Sequence, residues 1–216
     1  MKFFLLLGSL LLLTACNNSN VSKEEKKEPS VEPTANVVVE NTSYSIKQLE
    51  LKRVLDNYLK QLEALNTEGI IEMTYPKLFI PINKDLFIHY INTLLTSPQI
   101  SVDSFSTNIS SLGKVYPFGG GDYAEVKYLR SIQLSFVNPD LYRDDLSIRV
   151  LKDVLSRKYG SENIQIDAQN RTITIKEVEK LLAIKEGDEE WKFIGDNPSY
   201  RRLYPRIIPS DILSQI

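Results

Sequence analysis

Between Ala124 and Phe136 apolar and polar residues alternate: Ala124, Val126, Tyr128, Ile132, Leu134 and Phe136 share one side, with mostly polar residues between them. A period of two sustained over this length marks a strand with one buried face, which needs long partner strands and an apolar cover. One residue breaks the apolar side. Arg130 stands where alternation requires a core residue, and two arrangements resolve the conflict. A β-bulge near Leu129 flips the register, or the arginine points into a cavity and is met by a carboxylate. The bulge is the favoured expectation. In the second arrangement Arg130, Tyr128, Val126 and Ile132 form a candidate pocket.

Upstream the period is helical. Ser45 followed by Gln48 fits a capping box, and Ile46, Leu49, Val54, Leu55, Tyr58, Leu59, Leu62 and Leu65 make an apolar stripe. Thr67 to Met73 reads as a second helix, and Pro76 and Pro81 break the segment after it. Asn83 is suited to cap a third helix with Phe87, Tyr90, Ile91, Leu94 and Leu95 on one side and Pro98 near its end.

After Pro98 the pattern alternates. One strand begins at Ile100 and Val102, and a second is expected around Ile109 to Tyr116, before a loop at Phe118 to Asp122. Pro139 opens a helical region with Asp140, Asp144 and Asp145 near its N-terminus, a buried face of Leu146, Val150, Leu151, Val154 and Leu155, and Gly160 as its stop. A short strand at Asn163 to Asp167 precedes three more, at Thr172 to Val178, Lys180 to Glu186 and Glu190 to Ile194, the last two joined by a turn at Gly187 and Asp188. Pro209 begins a short final helix that docks Ile212 and Leu213. The predicted class is α+β: a long first helix on a curved, mostly antiparallel sheet, with an inserted helix.

The other end of the chain constrains location. Lys2 precedes an apolar run from Phe3 to Leu13, too short for a hydrocarbon core that needs about 20 residues. The run closes at Leu13, Thr14, Ala15, Cys16 with the chain's single cysteine. This resembles the lipobox of bacterial lipoproteins, which implies a signal peptide over 1–15, cleavage after Ala15 and a diacylglyceryl group on Cys16. Loss of Lys2 with that segment moves the formal charge from -2 to -3. With Cys16 lipidated no disulfide or cysteine metal site remains, and with a pI of 5.6 there is no basic field for nucleic acid. No cofactor is implied. Residues 16–42, polar and charged with Pro29 and Pro33, read as a tether averaging roughly 28 Å end to end, which leaves 43–216 as a single domain. Asn17 resembles the sorting signal for the outer membrane, on its periplasmic or surface face. The charge cluster from Lys23 to Glu28 is a solvated spacer first, and second resembles surface-export signals of Bacteroidetes lipoproteins.

The order of elements, with "YPKLF" after the second helix and "LLAIKEGDEEWKFIG" near the close, resembles the cone fold shared by nuclear transport factor, ketosteroid isomerase and scytalone dehydratase. More narrowly, that last segment with "IIPSDIL" is similar to uncharacterised Bacteroidetes lipoproteins. The resemblance implies a curved sheet around a concave pocket, and no reaction. No nucleophile, phosphate-loop or metal motif is present, and His89 is the only histidine, on the polar side of its helix. Asp103 and Glu125, with Tyr123 and Tyr128 as proton donors, are the nominal acid/base candidates, although alternation puts Glu125 and Tyr123 on the polar face. Asp188 to Glu190 reads as a turn rather than a calcium loop, and Arg201, Arg202 and Arg206 as surface. The leading functional expectation is a noncatalytic, membrane-tethered domain that engages an envelope protein. A small apolar ligand in the cone is second, and an isomerase- or dehydratase-like enzyme third.

Overall fold

The computed structural model describes residues 44–138, 144–196 and 201–215, apart from the side chains of Tyr90 and Leu94. The lipobox, the tether and the helix start predicted at Pro139 lie outside the described residues. Helix α1 (Ile46–Glu63) begins with the predicted capping box: the Gln48 N–H donates to the Ser45 side chain, and the Ser45 N–H donates to the Gln48 side chain at 3.0 Å. The helix buries Leu51, Val54, Leu55, Tyr58 and Leu59. Ile46 and Leu49, assigned to the stripe from sequence, are exposed, because the covered part of the helix starts at Leu51. Asn66 and Asn83 cap α2 (Thr67–Met73) and α3 (Lys84–Leu95) by accepting from the Gly69 and Leu86 N–H groups. A 3-10 turn at Pro76–Phe79 lies between them.

The strands form a six-stranded antiparallel sheet. They are β1 (Ile100–Leu112), β2 (Tyr116–Phe118), β3 (Gly121–Phe136), β4 (Ile164–Asp167), β5 (Thr172–Glu186) and β6 (Lys192–Gly195). β3 and β5 run side by side at the centre; β1 and β2 share the other edge of β3, and β4 and β6 share the other edge of β5. Two strands expected between Ile100 and Tyr116 are largely one, and two expected between Thr172 and Glu186 are one. The loop expected at Phe118 to Asp122 is a tight hairpin turn on Gly119 and Gly120, both at positive φ, which two-residue turns of this hand require.

The bulge expected near Leu129 is absent. Pairing of β3 with β5 is unbroken from Gly121 with Glu186 to Ser135 with Thr172, and the register shifts fall in β1 instead, around Asp103 and Ser110. Every second residue of β3 from Ala124 to Phe136 is therefore buried, Arg130 included. At one end of that face Ala124, Val126 and Tyr128 pack under α1 with Trp191 and Phe193. At the other, Ile132, Leu134 and Phe136 pack under α4 (Asp145–Tyr159), which Asp144 caps and Gly160 ends at φ 84°. Of the face predicted for α4 only Leu151 and Leu155 are buried, joined by Tyr159; Leu146, Val150 and Val154 face outward at 63, 44 and 39% exposure. The helix has one apolar side on the sheet and a second one that is exposed among the described residues.

The opposite face of the sheet is covered near β6 by the C-terminal segment. Tyr204, Ile207, Ile208 and Ile212, the last from α5 (Ser210–Leu213), pack with Tyr75, Leu78, Leu182 and Ile184. Alternation puts Tyr123 on a polar face, yet it is buried, because a later segment folds over it. The α+β class, with its long first helix on an antiparallel sheet and a helix inserted between strands, stands as predicted.

A candidate ligand cavity at Arg130

Register decides what Arg130 meets. Glu177 of β5 is its direct cross-strand neighbour, and Glu179 is the neighbour of Tyr128 one step along the same face. The Arg130 Nη2 group bonds Glu177 Oε1 and lies 3.0 Å from Glu179 Oε1. Arg130 and Glu179 are each 5% exposed. The three residues form a charged belt across the strand face, between the apolar cluster under α1 and the one under α4. Burying one charge without partners costs several kcal/mol, so arginine and glutamates hold one another in place. Arg130 Nε is buried and makes no hydrogen bond among the described residues.

A cavity of about 130 Å³ opens against this belt. Arg130, Tyr128 and Ile132 of β3 line it, with Val102 and Phe105 of β1. Its roof is helical: Tyr58 and Leu62 of α1, Ile70 of α2, and Phe87, Ile91 and Leu95 of α3. Leu65, just past α1 at φ 51°, and Phe193 and Ile194 of β6 complete much of the wall. The polar side chains in the lining are Tyr58, Thr74, Tyr128 and Arg130, and the Thr74 hydroxyl already donates to the Ile70 carbonyl at 2.8 Å. Burial pushes the Tyr128 hydroxyl well above its ordinary value, with the charge of Glu179 adding to the shift, and burial does the same to Tyr58. Both stay protonated and able to donate.

Of the four residues nominated from sequence, three meet at the cavity. Val126 does not: it is fully buried in the cluster under α1. Sequence reasoning missed both glutamates. Glu177 and Glu179 alternate in phase with Ile173, Ile175 and Leu181, and dividing β5 in two at this point hid that phase. It also missed the roof, since the stripe of α3 specifies a buried side without saying what lies beneath it.

The other nominees stay apart from the cavity. Asp103 accepts from Ser101 at 3.0 Å and from Ser135, and Glu125 pairs with Lys180 at 3.0 Å. His89 is exposed on α3, and Arg201 forms a two-pronged pair with Asp196 at 2.9 and 2.6 Å. Arg202 and Arg206 are exposed, as are Asp188, Glu189 and Glu190 in the β5–β6 turn. Among the described residues no cluster of three or more His, Cys, Asp or Glu is placed to hold a metal ion, and no helix is long and apolar enough to cross a membrane.

No family model matches the chain, and no curated protein does. Among solved structures it is similar to a nuclear transport factor 2-like superfamily protein from Salmonella enterica serovar Typhimurium. That similarity has 12% identity and a TM-score of 0.35, and covers 68% of this chain and 85% of the other. A likeness that distant carries nothing about what this chain binds.

Proposed function

We propose that this chain is a lipid-anchored binding protein of the bacterial envelope, held at the outer membrane by Cys16, whose domain takes a small, mostly apolar molecule into the cavity at Arg130. One observation carries the reading: a buried arginine, braced by two glutamates, stands at the wall of a mostly apolar cavity. On sequence alone a protein partner comes first, and the inward orientation of Arg130 reverses that order. Native mass spectrometry of the chain purified gently from its own host tests it. An added mass that leaves on mild activation and is displaced by an excess of a small apolar competitor supports the pocket; a clean unliganded mass that no such competitor changes counts against it.

A second reading, an envelope protein partner, is favoured by the exposed apolar side of α4. Leu146, Val150 and Val154 are spaced by one helical turn each and exposed together. A photo-crosslinker at Val150 in cells should give a discrete adduct, lost on Leu146→Glu, if this side is covered by a partner.

A further inference from the structure

The exposed side of α4 carries charges beside its apolar residues, and their order restricts what can cover it, a restriction that rests on the partner reading proposed for this helix. Asp145, Arg149, Asp153 and Arg157 follow one another at four-residue intervals along the ridge next to Leu146, Val150 and Val154, and all are exposed. The helix dipole accounts for Asp145 in the first turn and Arg157 in the last, but not for Arg149 and Asp153 in the middle. Nor are these charges used up within the helix. Lys52 and Asp56, at the same spacing in α1, close an ion pair at 2.9 Å. Among the described residues the four charges of α4 form none, and Arg149 Nε donates instead to the Asp145 carbonyl at 3.3 Å.

The signs alternate, so the ridge sums to zero and offers an anionic lipid surface no net attraction. An alternating row is complementary to itself when turned end for end. A two-fold axis near Val150 sets Val150 against its own copy, Leu146 against Val154, Asp145 against Arg157 and Arg149 against Asp153. Parallel helices in register would set like charge against like. Rows of residues four apart are also the ridges that interdigitate when two helices pack. We infer that α4 is a homotypic contact: two copies of this chain pair antiparallel through Leu146, Val150 and Val154, and the two kinds of charge pair set the register. One side of a helix about 22 Å long offers well under the ~800 Å² per partner of a stable interface. The contact is therefore weak between free copies, and the anchor proposed at Cys16 favours it by confining copies to one surface.

The test places a photo-crosslinker at Val150 of the full chain in its own host, with two forms that bear different affinity tags expressed together. An adduct that carries both tags is expected. An adduct that joins one tag to another protein overturns the homotypic contact and leaves the partner reading standing; no adduct at all removes both. Charge reversal tests the register. Arg149→Asp or Asp153→Arg alone turns two attractive pairs repulsive and should lower the yield of the doubly tagged adduct about tenfold. Both changes in one chain, or the two single variants expressed together, should restore it. A yield that neither single reversal lowers, or that the combined reversal does not restore, overturns the antiparallel pairing. The substituted side chains are exposed, and an unchanged far-UV circular dichroism spectrum separates lost pairing from lost folding.

Discussion

Arg130 shows how a single residue can look like an error in a strand pattern and be the centre of a buried ion network. Its position follows from phase alone, since β3 holds an unbroken alternation, and its partners follow from the register with β5. Removing only the arginine strands two buried carboxylates. Arg130→Met should therefore lower stability by about 3–5 kcal/mol in urea unfolding, while the variant that also carries Glu177→Gln and Glu179→Gln recovers much of the loss. A second cluster sets the response to pH. Burial works to raise the Glu186 carboxyl, but hydrogen bonds from Lys77 at 2.6 Å and Tyr75 at 2.9 Å outweigh it and leave it below its ordinary 4.5. A lowered folded value gives stability that is present above pH 4.5 and lost as pH falls through the folded value. Tyr75 moves the other way: burial, then its bond to Glu186, pushes the hydroxyl from 10.0 up to about 12. That contribution is complete below pH 10.0 and lost as pH rises through about 12. Glu186→Gln should flatten the acid limb of a stability profile, and Tyr75→Phe should soften the alkaline one.

Elements with local instructions formed where the sequence put them. The capping box at Ser45, the Asn83 cap and the Gly160 stop are each specified within a few residues, so neighbouring structure has little say in them. Asn83→Ala should cost about 1 kcal/mol in thermal unfolding, because the Leu86 N–H loses its acceptor at the start of the helix that roofs the cavity. Strand boundaries were less legible. Glu179 and Lys180 look like the polar end of a strand, yet the ladder to β3 runs through them, because a buried arginine makes the glutamates acceptable inside. In β1 two register shifts let one strand carry on where the pattern changes phase, which reads from sequence as an interruption. For α4, five apolar residues predicted one wide buried side; only the part facing the sheet is covered, and helical period cannot count how many neighbours a helix will have.

At the scale of the molecule, β3 and β5 each run through both the cluster under α1 and the cluster under α4. Two cores that share their central strands should unfold together. Leu155→Ala, in the cluster under α4, should cost about 2–5 kcal/mol and shift the fluorescence transition of Trp191, which lies in the other cluster, as far as it shifts far-UV circular dichroism. Separate midpoints would mean the charged belt divides the domain into two folding units. The sequence by itself determined the helix starts at Ser45 and Asn83, the stop at Gly160, the α+β class and the strand face on which Arg130 had to be reconciled, because caps and period act over a few residues. It also carries the motif at Cys16, on which the proposed anchor rests. Only the tertiary structure decided that the arginine turns inward, that Glu177 and Glu179 receive it, that Tyr123 is covered by the distant C-terminal segment, and that α3 roofs a cavity. Those outcomes depend on register and on packing between distant segments, and no short stretch of chain encodes either.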